Sequence, residues 1–112
     1  DSETETMPFL SPSEQTRREP MAGFVGNFST GLTMTSVTWT IAAGATLPEH
    51  AHPHEQIAHV LAGEFELTIG DETQRLGPGM VAVVPPNVTH SGRAVTECRI
   101  IDVFHPVRDD YR

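Results

Sequence analysis

Two histidines set two residues apart, His50 and His52, can reach one metal ion, because side chains at i and i+2 of a β-strand point to the same face. They open a block, His50-Ala51-His52-Pro53-His54-Glu55-Gln56, flanked by Gly44 and Gly63. A second block, Pro85-Pro86-Asn87-Val88-Thr89-His90, follows the turn Gly77-Pro78-Gly79. A third group closes the chain. Alternation from Glu97 to Phe104 places Cys98, Ile100, Asp102 and Phe104 on one strand face, with Arg99, Ile101 and Val103 on the other. An inward aspartate is costly unless it is paired, solvated or functional, and the bland reading of Asp102 is a carboxylate paired with a nearby arginine. Phe104 is read as core or pocket wall, and Arg108, just past Pro106, as a solvated charge or a functional one. Asp109 and Asp110 are read as surface residues. All seven basic side chains apart from histidine are arginines, so no lysine is available for Schiff-base chemistry. The one cysteine, Cys98, precludes an internal disulfide and reads as a small buried side chain.

These residues must be carried by strands. The chain is long enough for one domain, and nine Gly, nine Pro and many Val, Ile and Thr favour short strands joined by tight turns. Residues 1–20 are polar, contain three prolines and show no period, which predicts an arm that is flexible or docked on a partner, with the barrel domain spanning 21–112. Strand text begins near Phe24. A β-branched stretch, Leu32 to Ile41, predicts a long strand, followed by Gln56 to Leu61 and Glu64 to Ile69. Gly70-Asp71-Glu72 then turns into Thr73 to Leu76, Met80 to Val84 reads as a buried run, and the last strand is Glu97 to Phe104. Along the strand from Gln56, Ala58 and Val60 share Gln56's face while Ile57, His59 and Leu61 take the other, so His59 points away from the metal block. His54, His59 and His105 are assigned structural or supporting roles. No helix of adequate length is signalled, and the spacing predicts an all-β closed barrel or jelly roll.

The formal net charge of −8 with no basic run argues against nucleic acid as a partner. No apolar run approaches the roughly 20 residues of a membrane span, and no signal peptide is apparent, so a cytoplasmic protein without a membrane partner is expected. A chain this short buries a modest core, which makes a homodimer the expected assembly.

The two blocks and their fixed glycines and prolines resemble the two signature motifs of the cupins, small metal-binding jelly-roll β-barrels. The resemblance implies a single-domain cupin whose metal ligands are His50, His52, Gln56 and His90. Many cupins carry a glutamate where Gln56 stands. Glu55 is the alternative ligand if the strand is locally bulged. Three neutral imidazoles and an amide oxygen would leave the +2 charge of the ion uncompensated, which suits an anionic, oxygen-bearing substrate and is less suited to ferric intermediates. The ligand types leave the divalent ion open among zinc, nickel, iron, manganese and copper.

The segment Asp102-Val103-Phe104-His105-Pro106-Val107-Arg108 is similar to the closing signature of the pectin-degradation cupins of the KdgF type, which linearise 4,5-unsaturated uronates released by pectate and alginate lyases. That family also has glutamine at the Gln56 position. The similarity implies Asp102, Phe104 and Arg108 as catalytic residues, with Asp102 as proton carrier and Arg108 gripping the sugar carboxylate. Two other readings stand beside it. One is a different small-molecule metal cupin, a dioxygenase or a lyase, the dimethylsulfoniopropionate-type lyases being disfavoured by Ala58 where they resemble one another in having a tyrosine. The other is a cupin that binds a sugar or a metal without turnover.

Overall fold

The computed structural model describes residues 8–112; the first seven residues of the expected N-terminal arm lie outside the described residues. The strands are β1 (Thr16–Met21), β2 (Phe24–Thr30), β3 (Thr35–Ile41), β4 (Thr46–His50), β5 (Glu55–Ala62), β6 (Phe65–Ile69), β7 (Glu72–Leu76), β8 (Val81–Val84), β9 (His90–Ala94) and β10 (Cys98–His105). They form two antiparallel sheets, one ordered β1-β2-β3-β10-β5-β8 and the other β4-β9-β6-β7. The protein is an all-β, single-domain jelly roll. Its only helical pieces among the described residues are single 3₁₀ turns at Pro12–Glu14 and Asp109–Tyr111. No helix there is long and apolar enough to cross a membrane.

The larger sheet buries one face, and the period-two pattern of the sequence is the reason. In β3, Val37, Trp39 and Ile41 point inward; in β5, Gln56, Ala58 and Val60 do; in β10, Cys98, Ile100, Asp102 and Phe104 do. Phe24 and Phe28 from β2 meet Trp39 edge-to-face at ring-centroid distances of 5.8 and 5.4 Å, and Phe65 and Leu67 of the smaller sheet close the core opposite. Aromatic pairs in this geometry contribute about 0.5–1.5 kcal/mol beyond their burial. Cys98 is fully buried, its thiol pushed up in pKa by that burial, as a structural cysteine should be.

Two tight connections set the register. Gly70 takes φ 62° in the two-residue turn between β6 and β7, a conformation an L side chain rarely adopts. Gly63, at φ 81°, passes so close to the Glu97 carbonyl that an added Cβ would overlap it, so the β5–β6 corner requires glycine.

The structure departs from the sequence reading at both edges of the larger sheet. Strand structure begins at Thr16 rather than near Phe24: β1 pairs antiparallel with β2, Thr16 opposite Phe28 and Met21 opposite Phe24. The run Met80 to Val84 is not buried. Met80, Val81 and Val83 are 41–54% exposed: they face away from the second sheet, while Val84 is buried and Ala82 packs partly buried against the core. With Ile57 and Leu61 of the neighbouring strand they form an apolar outer surface.

Candidate metal centre and pocket

The site grows from the smaller sheet. His50 ends β4 and His90 begins β9, and the two are direct cross-strand partners with ring centroids 4.2 Å apart. His52 lies beyond the end of β4, in the connection to β5, so its approach to His50 is made by the loop and not by strand alternation. That loop is tied down by the second block: Asn87 donates its backbone N–H to the His52 carbonyl at 2.8 Å. Asn87 does so from φ 64°, a left-handed conformation that asparagine tolerates better than most residues. One ring nitrogen from each of His50, His52 and His90 comes together, all within 4.8 Å of one another.

The rings are also held in the tautomer a metal requires. Each Nδ1 faces a backbone carbonyl: His50 that of Pro48 at 2.8 Å, His52 that of His54 at 3.0 Å, and His90 that of Val88 at 3.0 Å. A carbonyl can only accept, so each Nδ1 carries the proton and each Nε2 presents a lone pair, the arrangement usual for histidine ligands. Burial holds His52 and His90 below the ordinary histidine pKa, which keeps these rings neutral and able to ligate near pH 7.

Gln56 comes from β5, where it faces the pocket, while Glu55 is exposed on the opposite side. The Gln56 ligand position is therefore reached without a bulge. Its Oε1 stands 3.2 Å from His52 Nε2. Its amide also lies close enough to Asp102 to lower that carboxyl's pKa. Two lone-pair atoms at 3.2 Å repel one another unless a cation lies between them. His90 Nε2, likewise buried, has no hydrogen-bond partner. These donors fit a divalent ion.

Asp102, on β10, sits beside them, and its Oδ2 accepts a 2.9 Å hydrogen bond from Trp39 Nε1. Trp39 is the diagonal neighbour of Asp102 on β3, whose direct partner is Val37. Oδ1 is buried and makes no hydrogen bond. Burial pushes the Asp102 carboxyl from 3.8 up to about 6, against the opposing pull of Gln56, Trp39 and Arg108. Phe104 lies edge-on to His52 at 5.6 Å.

Arg108 follows the last strand. Its backbone N–H is fixed to the buried Thr35 hydroxyl at 2.9 Å, and its guanidinium lies 4.8 Å over the Phe104 ring and 4.2 Å over the Tyr111 ring. Burial disfavours its charge, but the Asp110 pair and the neighbouring Tyr111 and Asp102 together raise its pKa. That pair is with Asp110 and not with Asp102.

All seven residues singled out in the sequence, His50, His52, Gln56, His90, Asp102, Phe104 and Arg108, line one pocket. His59 and His105 are exposed, and His54 packs edge-on to His52 and Phe104 outside the pocket lining. Trp39 and Tyr111 also line it and were not anticipated. For Trp39 a signal existed: it falls on the inward face of a β-branched strand, and a buried indole N–H seeks an acceptor.

Residues 37–104 match the Cupin domain family, which is more than half of the chain. This chain is a cupin. It is 33% identical over 92 residues to the pectin degradation protein KdgF of Dickeya dadantii, covering 72% of this chain and 84% of that one. The structure of KdgF from a Halomonas species superposes with a TM-score of 0.85 at 30% identity, over 94% of this cupin and 98% of its counterpart. An RmlC-like cupin from Shewanella frigidimarina NCIMB 400 gives a TM-score of 0.89 at 26% identity, over 96% and 98% of the two chains.

Proposed function

We propose that this cupin is a metal-dependent enzyme that opens 4,5-unsaturated uronate monosaccharides to linear 4-deoxy-5-keto uronates. The observation that carries the proposal is the meeting, in one pocket, of an uncharged ligand set, a buried carboxyl with one oxygen free of hydrogen bonds and an arginine held at the wall. The similarity to KdgF proteins supports the same substrate class.

The conversion is an isomerisation and needs no oxidant. The proton of the anomeric hydroxyl leaves as the bond between C1 and the ring oxygen breaks, giving an aldehyde at C1 and an enolate at C5. The same proton equivalent, added at C4, then turns the enolate into the ketone. A divalent ion held by His50, His52, Gln56 and His90 would supply Lewis acidity to the sugar oxygens. Asp102 takes and returns the proton. Trp39 anchors its Oδ2, which leaves Oδ1 free for the exchange, and burial raises the carboxyl's affinity for the proton it must take up. Arg108 binds the sugar carboxylate, and Phe104 forms an apolar wall beside His52 that limits water.

Incubation with lyase-generated unsaturated monouronates, following the loss of C4–C5 double-bond absorbance, tests the reading. A rate no faster than the spontaneous one sinks it. Arg108→Ala should chiefly raise KM, by about ten- to a hundredfold, since a charge-assisted contact used in ground and transition states alike is removed. A fall in kcat at unchanged KM would place Arg108 in the chemistry instead. We also propose that the apolar outer surface of Ile57, Leu61, Met80, Val81 and Val83 is covered by a second copy of the chain. Sedimentation should show a dimer that Val83→Glu converts to monomer; a monomeric wild type rejects the assignment.

A further inference from the structure

Arg108 is held on three sides, and the third is the informative one. The guanidinium carbon lies over the Phe104 and Tyr111 rings, contacts that attract the cation without hydrogen-bonding any particular N–H. The in-plane angle is set by Asp110, whose carboxylate accepts from Nε at 3.0 Å and from Nη2 at 2.7 Å. Asp110 is not among the pocket-lining residues, whereas Arg108 is, so the carboxylate grips the edge of the guanidinium that faces away from the cavity. A guanidinium has five N–H donors. Two go to Asp110, leaving one on Nη2 and both on Nη1, which form the end-on edge that a second planar carboxylate can meet bidentately.

We propose that Asp110 is a positioning residue that turns the end-on edge of Arg108 into the pocket, so that an anionic ligand is selected by the geometry of its carboxylate more than by net charge. The proposal deepens the uronate reading and rests on it for the identity of the ligand. Charge and geometry predict opposite outcomes when Asp110 is removed. Asp110→Ala deletes a negative charge beside Arg108, and electrostatics alone would then tighten anion binding. Loss of the in-plane anchor would weaken it. The Asp110 side chain is 58% exposed, and an ion pair this exposed on one side adds little to stability, so the variant should melt close to wild type.

The probes are galacturonate and its neutral methyl ester, with binding measured to wild type, Asp110→Ala and Asp110→Glu in metal-loaded protein. The expected result for Asp110→Ala is about tenfold weaker binding of the acid, the scale of one charge-assisted contact, with the ester unaffected. With unsaturated uronates KM should rise by the same factor while kcat moves far less, and Asp110→Glu should recover part of the loss. Tighter acid binding would overturn the proposal, as would equal losses for acid and ester. The Arg108 Nε–H resonance gives a readout that needs no ligand: sharp and protected in wild type, exchange-broadened in Asp110→Ala. A resonance equally protected in both shows that Asp110 does not pin the guanidinium. A wild type that binds acid and ester alike would fail the uronate reading, and the resonance would still decide whether Asp110 holds Arg108.

Discussion

Asp102→Asn should keep the fold, the metal and substrate binding, and lose about 10²–10⁴-fold in kcat, the usual worth of a general acid–base group. The amide occupies the same volume and its oxygen can still accept from Trp39 Nε1, but it cannot carry a proton. The same variant should be more stable than wild type in the metal-free state at neutral pH. The reason is the cost of ionising a buried carboxyl. Between 3.8 and about 6 the unfolded chain has released its proton while the folded chain keeps it, so stability falls as pH rises through that window. Above it both states are ionised and the full penalty, about 3 kcal/mol, is present. Asparagine has no such penalty, so chelated Asp102→Asn should melt several degrees above chelated wild type at pH 7.5, and the gap should close below about pH 4. Activity lost with stability gained separates a proton carrier from a structural carboxylate. Turnover near wild type in Asp102→Asn removes Asp102 from the mechanism.

The parts of the fold that were legible in the sequence are those with one wet and one dry face. In β10 the alternation of Cys98, Ile100, Asp102 and Phe104 against Arg99, Ile101 and Val103 is the observed burial pattern, and β5 behaves the same way from Gln56. Where a strand has no dry face the signal disappears. In β1, Thr16 to Pro20 are all exposed, and the strand exists because its backbone pairs with β2, which leaves no hydrophobic period to read. The opposite failure occurs in β8. An apolar run such as Val81 to Val84 is compatible with burial on both faces, and only the packed structure, with one face of β8 left uncovered, shows that Val81 and Val83 face outward.

Within the pocket, the motifs and the families they resemble pointed to the groups but not to their partners. His50 and His52 were paired by strand alternation, yet β4 ends at His50, with a register irregularity between Leu47 and His50, and the Asn87–His52 backbone contact does the placing. Asp102 and Arg108 were weighed as an ion pair. Each has another partner, Trp39 for the first and Asp110 for the second. Asp110, read as a surface charge, is largely exposed and nonetheless holds the least exposed arginine of the ion pairs in the described structure. Such pairings depend on the turn that Asp109–Tyr111 makes under the barrel mouth, and local sequence does not encode where that turn docks.

His52→Ala should release the metal and abolish turnover together. One divalent ion per chain is expected in the purified protein, and removing one of three imidazoles should weaken its retention by more than the roughly 10–100-fold typical of losing an outer-shell partner. His52 is the most telling of the three, because its Nε2 and Gln56 Oε1 confront each other at 3.2 Å as lone pairs, a contact that a bound cation turns from repulsive to attractive. A stoichiometric ion that survives the combined loss of His50, His52 and His90 would refute the centre. Gln56→Glu tests the charge of the set rather than its existence. A carboxylate at that position keeps an oxygen ligand but cancels one unit of the ion's charge, so the variant should retain metal and bind a uronate more weakly. Tighter uronate binding in Gln56→Glu would mean that the uncompensated charge does not attract the substrate, leaving Arg108 as the carrier of anion recognition.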